Sequence, residues 1–153
     1  LIIGAEVFSN FISFAGLPDE ILSWVSGLEV NAYVVVIALV LIYVLLGAVL
    51  ESLSMILLTV PIFYPLVTGL DFGEGVLTSP EAVTIWFGII VVVVTEISLI
   101  SPPMGLNVFV LRAVVTDVPL STIFRGILPF WCFDMIRLLL LIAFPILSLA
   151  LVL

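Results

Sequence analysis

Two apolar blocks, residues 31–67 and 82–115, are each far longer than one membrane-crossing helix requires. A helix rises about 1.5 Å per residue and the hydrocarbon of a bilayer is about 30 Å thick, so about 20 residues suffice. Each block must therefore fold back or break within its own length. Two further apolar stretches, residues 1–16 and 127–153, are single membrane-helix candidates. Only 9% of the residues are charged, where an ordinary soluble domain carries about 25%, so the chain lacks the polar surface to face water all round. The fold class that follows is an all-α polytopic membrane protein.

The interruptions show how the long blocks break. In the first, Gly47, Glu51, Ser52 and Ser54 interrupt continuous Val, Leu and Ile, which predicts a helical hairpin over 31–66 with a polar tip. In the second, Glu96-Ile-Ser-Leu-Ile-Ser-Pro-Pro-Met-Gly105 contains Pro102 and Pro103, which lack an N–H and disfavour helix in the residue before them. That predicts a helix over 82–115 broken inside the membrane. Backbone that leaves the helix at this depth must find partners in protein or line a water-filled cavity. Either neighbouring helices satisfy a simple kink, or the break builds a site from unwound carbonyls and half-helix ends. Two consecutive prolines framed by Ser101 and Gly105, with Asn107 following, favour the site. Between the first two apolar stretches, residues 17–28 start well as a helix with Pro18, Asp19 and Glu20. Their apolar Ile21, Leu22, Trp24, Val25 and Leu28 predict an interfacial helix, too short and polar to span.

Charge is distributed by position. Asp19, Glu20 and Glu29 lie in the first connector and Asp71, Glu74 and Glu81 in the second, whereas Arg112 and Arg125 flank the third. The positive-inside rule then puts the third connector in the cytoplasm and both acidic connectors outside. With a last crossing beginning near Leu138, the Asp134 and Arg137 pair sits at the cytoplasmic interface, Phe130 and Trp131 anchor there, and Cys132 packs. Glu51 and Glu96 are the exceptions, carboxylates inside apolar blocks, where an ionisable group is costly unless paired, hydrated or protonated. Glu51 has two readings, a cation ligand or a hydrogen-bonding group at the tip. Glu96 either meets a transported species or braces the broken helix through backbone N–H groups.

The same inventory excludes whole classes. Without His there is no Ser–His relay and no imidazole metal site, and one Cys makes no disulfide. Three scattered Arg cannot neutralise a run of phosphates, so no nucleic acid is expected. An intramembrane enzyme using Glu51 and Glu96 as a carboxylate pair lacks any accompanying protease motif. A structural or assembly subunit without its own ion site is the alternative to a transporter. The abrupt apolar ends read as part of a longer protein, with no signal peptide expected.

Four segments, in order and spacing, carry a resemblance: Gly47-Ala-Val-Leu-Glu-Ser-Leu-Ser-Met-Ile-Leu-Leu-Thr-Val-Pro-Ile-Phe-Tyr-Pro65, Trp86-Phe-Gly-Ile-Ile90, Glu96-Ile-Ser-Leu-Ile-Ser-Pro-Pro-Met-Gly-Leu-Asn-Val-Phe109 and Arg125-Gly-Ile-Leu-Pro-Phe130. Together they resemble the C-terminal half of the large membrane subunit of TRAP (tripartite ATP-independent periplasmic) transporters. The resemblance implies half of an inverted-repeat, elevator-type transporter with a re-entrant hairpin and a broken helix, in the bacterial inner membrane. It implies sodium-coupled import of carboxylate-bearing solutes such as C4-dicarboxylates, sugar acids or sialic acid. The implied partners are a periplasmic solute-binding protein and a small membrane subunit, with no cofactor beyond the coupling ion. Residues 17–28 become the arm helix that links scaffold to moving domain.

On the same resemblance, Ser98, Ser101, Pro102, Met104 and Gly105 of the broken-helix loop hold one sodium, together with Gly47, Glu51 and Ser54 of the hairpin tip. Glu96, Pro103 and Asn107 are candidates for the substrate cavity. Ser-Pro-Pro-Met-Gly stands where the family usually has Thr-Pro-Pro-Val-Gly, so Ser101 keeps the hydroxyl. Thr95 stands where Asn is common, Ser98 where Gly is commoner, and the 71–81 connector is longer than usual.

Overall fold

The computed structural model describes residues 2–47, 49–101 and 105–150. Pro102, Pro103 and Met104 lie outside them. The described residues are helical and contain no strand: α1 (Ile2–Phe14), α2 (Leu17–Gly27), α3 (Ala32–Leu46), α4 (Ser52–Thr68), a 3-10 turn (Val76–Thr78), α5 (Pro80–Ile100), α6 (Leu106–Val114), α7 (Leu120–Ala143) and α8 (Ile146–Leu149).

α5 is the central helix, packed by α3, α4, α7 and α8, and α1 and α2 lie against α4. Three hydrogen bonds and an aromatic contact fix the helix directions. Tyr33 at the start of α3 meets Trp86 near the start of α5 with ring centroids 6.2 Å apart, and Gly47 just after α3 touches Ser98 near the end of α5. α3 therefore runs parallel to α5. Tyr64 late in α4 pairs with Thr84 early in α5 at 3.2 Å, so α4 runs back. α7 is also antiparallel, because Leu141 meets Trp86 and Trp131 meets Ser101.

The interior is apolar and the exterior is equally so. Val36, Met55, Val67, Trp86, Val94 and Leu138 are fully buried in one cluster, while Val34, Leu41, Leu45, Phe130, Phe133 and Leu139 point outward. Exposed side chains of this kind belong in lipid, where helices satisfy their own backbone and apolar surface is not penalised. α5 and α7, at 21 and 24 residues, are long and apolar enough to cross. The hairpin arms are not: α3 has 15 residues and α4 has 17, about 22 and 25 Å against about 30 Å of hydrocarbon.

Two expected segments differ in detail. On α2, Ile21, Leu22 and Val25 pack inward, but Trp24 is 68% exposed and the C-cap residue Leu28 51%, so the apolar residues split between the protein and its surroundings. The apolar stretch from residue 127, described to residue 150, is not a single helix. α7 starts at Leu120, runs through Pro129 and ends before Pro145, whose missing N–H stops it; α8 is a separate turn. The Asp134–Arg137 pair, 3.1 Å apart, accordingly sits inside α7 and not at its end. Cys132, expected to pack, is exposed.

Candidate functional site

The break is built by what prolines cannot do. In an α-helix the carbonyls of Ser98 and Leu99 would accept from residues 102 and 103, and both of those are Pro. Ser98's carbonyl is rescued by a tighter turn, accepting from Ser101 N–H at 3.2 Å. That rearrangement takes the Ser101 N–H away from the Ile97 carbonyl, which receives the Ser101 hydroxyl instead at 2.8 Å. Leu99's carbonyl has no helical partner left. Gly105 brings the returning chain against it: a Cβ there would lie 2.7 Å from Leu99 O and 2.9 Å from the Ile100 carbonyl carbon. Only glycine permits that approach.

A stripe of buried polar side chains leads to the break. Thr95 is 3% exposed, Ser98 fully buried and Ser101 3% exposed, spaced three residues apart along α5. Ser98 Oγ donates to the Thr95 carbonyl at 2.7 Å, whereas Thr95 Oγ1 has no partner among the described residues. A hydroxyl kept out of water and left unpaired costs about 1–3 kcal/mol; Ser148 Oγ on α8 is in the same state. Ser98 faces the hairpin. Gly47 lies so close that a Cβ on it would overlap both Ser98 Oγ and Cβ. The structure thus brings Gly47 and Ser98 together, 51 positions apart in sequence.

Glu51 has a defined local task. It is the N-cap of α4, accepting from Ser54 N–H at 2.7 Å, from Leu53 N–H at 3.2 Å and from the Ser54 hydroxyl. Of its two readings the hydrogen-bonding one is realised within the tip, with Ser54 as partner. Glu96 is exposed on α5 and Asn107 exposed in the first turn of α6, whose N-terminus carries no side-chain cap. No backbone bond to Glu96 accompanies the break among the described residues. Nor do they contain a group of three carboxylate or thiol side chains arranged for a metal.

Two side chains escaped the sequence reading. Trp131, taken as an interface anchor, donates its indole N–H to Ser101 Oγ at 2.7 Å. It is the twelfth of the 24 residues of α7, so this bond sets the end of α5 beside the middle of the longest helix. Trp86, quoted only as part of a motif, donates to the Leu141 carbonyl at 2.8 Å. Neither contact had a local signal, because the partners are 30 and 55 residues apart.

What can such a site hold? Its donors are neutral oxygens: the Leu99 carbonyl, which accepts no bond from the described residues, and lone pairs on Ser98, Ser101 and Thr95. That set suits a hard, weakly charged cation better than a transition metal, which takes nitrogen or sulfur.

Comparison with known proteins identifies the family. The model of the tripartite ATP-independent periplasmic transporter, DctM component, matches residues 1–147. The chain is 32% identical over 151 residues to the C4-dicarboxylate TRAP transporter large permease protein of Pseudomonas aeruginosa, covering 99% of this chain and 33% of that protein. It is 27% identical over 145 residues to the sialic acid TRAP transporter large permease protein of Vibrio cholerae, covering 95% and 31% respectively. It is 26% identical over 152 residues to the C4-dicarboxylate large permease protein of Rhodobacter capsulatus, covering 99% and 32%. The chain thus spans about a third of the length of these relatives. No solved structure matches it. Hairpin, double-proline break and family match coincide over nearly the whole chain, which therefore belongs to the DctM component family of tripartite ATP-independent periplasmic transporters.

Proposed function

We propose that this chain is the C-terminal part of the large subunit of a sodium-coupled secondary transporter in the bacterial inner membrane. Its cargo is a carboxylate-bearing solute, handed over by a periplasmic binding protein, and a small membrane subunit scaffolds it. The observation that carries the reading is the seating of Gly47 on Ser98, which sets the hairpin tip against the end of the broken helix. Hairpin arms too short to cross, and a break level with the middle of α7, are what a midplane site between two inverted repeats requires. An elevator motion would carry this hairpin and α5 together.

In this reading the Leu99 carbonyl and the Ser98 and Ser101 hydroxyls ligate the sodium ion. Gly105 closes the break and Gly47 admits the tip, while Pro102, Pro103 and Met104, candidates on the family resemblance, lie outside the described residues. Glu51 and Ser54 hold the tip in shape through their mutual bonds. The uncapped N-terminus of α6, with Asn107, and Glu96 remain the substrate-side candidates. N–H groups at a helix start favour a carboxylate.

The test is solute uptake into proteoliposomes containing the full-length large subunit, its small partner and the binding protein, with sodium varied against potassium. Uptake should require sodium. Ser101→Ala should raise the half-saturating sodium concentration about tenfold, as expected for losing one oxygen that contacts a charge. Uptake indifferent to sodium would refute the coupling. As a second check, Gly105→Ala should abolish sodium dependence together with most uptake, because its Cβ meets backbone atoms that no rotamer can move. Normal uptake in that variant would remove the loop from the site.

A further inference from the structure

We infer that Trp131 is a positioning residue for the ion site: its indole N–H fixes the Ser101 hydroxyl so that one lone pair is left for the ion. The inference rests on the sodium reading above.

A serine hydroxyl has one hydrogen and two lone pairs. At Ser101 the hydrogen goes to the Ile97 carbonyl at 2.8 Å, and one lone pair accepts from Trp131 Nε1 at 2.7 Å. One lone pair remains, and with two bonds already made the side chain cannot rotate without breaking both. Ser101 is 3% exposed, so no water competes freely for that rotor. A bare hydroxyl beside a break would sample several rotamers, and a ligand held in one of them meets a cation without that ordering cost.

The contact is also separable from the fold. α5 and α7 are clamped twice, by indoles of opposite direction: Trp86 of α5 reaches the α7 backbone at Leu141, and Trp131 of α7 reaches the α5 side chain at Ser101. Trp86 is fully buried, whereas Trp131 is only half-buried. Losing the Trp131 N–H therefore leaves the helix pair in register and frees only the hydroxyl.

The experiment is Trp131→Phe in the full-length permease, reconstituted with its small subunit and binding protein. Half-saturating sodium for uptake should rise about fivefold, the equivalent of one ordinary hydrogen bond. Maximal uptake and the solute KM at saturating sodium should stay within about twofold, and the thermal midpoint without sodium should fall by only a few degrees, the cost of one hydrogen bond. In a Ser101→Ala background, Trp131→Phe should add no further shift. In Ser101→Thr, which keeps the hydroxyl, its effect should reappear. An unchanged sodium response in Trp131→Phe overturns the inference, as does an equal shift in the Ser101→Ala background, since Trp131 would then act elsewhere. Sodium dependence intact in the unsubstituted protein separates these outcomes from failure of the functional reading; sodium-independent uptake there overturns both. A measurement that needs no Trp131 variant to fold is sodium titration of indole fluorescence against a potassium control. The sodium-specific signal of the unsubstituted protein should shrink in Ser101→Ala, and equal signals in the two overturn the inference.

Discussion

Gly47→Ala is expected to drive the hairpin off α5, lowering the thermal midpoint of the purified permease and reducing uptake at least tenfold. The added methyl would overlap Ser98 Oγ and Cβ, and the next atom behind them, the Ser98 carbonyl carbon, would be 3.2 Å away. Cβ is not the end of a flexible chain, so helix backbone must move. Forcing a methyl into a packed contact typically costs about 1–3 kcal/mol. Ser98→Gly removes the two overlapping atoms, and the double substitution Gly47→Ala, Ser98→Gly should recover most of the lost stability. Recovery of stability without full recovery of sodium affinity would separate packing at this contact from ligation by the Ser98 hydroxyl. Gly126→Ala is the control, because nothing lies within 4 Å of a Cβ there. Should Gly47→Ala behave like Gly126→Ala, or the double substitution do no better than the single one, the hairpin tip does not seat on Ser98 as described.

The hairpin and the break were legible because they depend on backbone chemistry written locally. Block length forbids one crossing in 31–67, and Pro102-Pro103 removes two successive N–H donors whatever surrounds them. The Ser98 contact was legible only in outline, through a family resemblance that placed tip and loop in one site. Glu51 shows the opposite limit. Local rules favour Ser over Glu as an N-cap, and Ser52 and Ser54 were both at hand, so the capping role of the carboxylate had no clear signal. In α7 the sequence reads as a membrane stretch only from residue 127, with Asp134 and Arg137 placed just before a crossing. The helix begins upstream at Leu120 and runs through both, with the two charges neutralising each other one turn apart. The tryptophans were illegible for a further reason. An indole in an apolar stretch serves equally as a headgroup anchor or an interhelical donor, and no periodicity distinguishes the two.

Trp86 should carry the largest single contribution to the stability of the helix assembly. Its ring is fully buried and stacks edge-on with Tyr33 at 6.2 Å and Phe72 at 5.3 Å. Its N–H meets the Leu141 carbonyl, an acceptor that exists because of a proline: residue 145 would supply the helical N–H, and Pro145 has none. Phe144 N–H is already committed to Leu140 at 2.8 Å. Trp86→Ala should therefore destabilise by about 3 kcal/mol, the lower end of large-to-small costs, since in lipid the cavity and lost contacts remain but the transfer from water does not. Trp86→Phe keeps most of the ring and strands the carbonyl, at about 1–3 kcal/mol. The decisive comparison adds Pro145→Ala, which gives residue 145 an N–H of its own. In that background Trp86→Phe should cost at least 1 kcal/mol less, roughly the value of the hydrogen bond restored. Thermal midpoints of the four proteins in one detergent or nanodisc read the coupling directly. Additive costs would mean that the indole stabilises by volume alone, and that the end of α7 is satisfied by some other group.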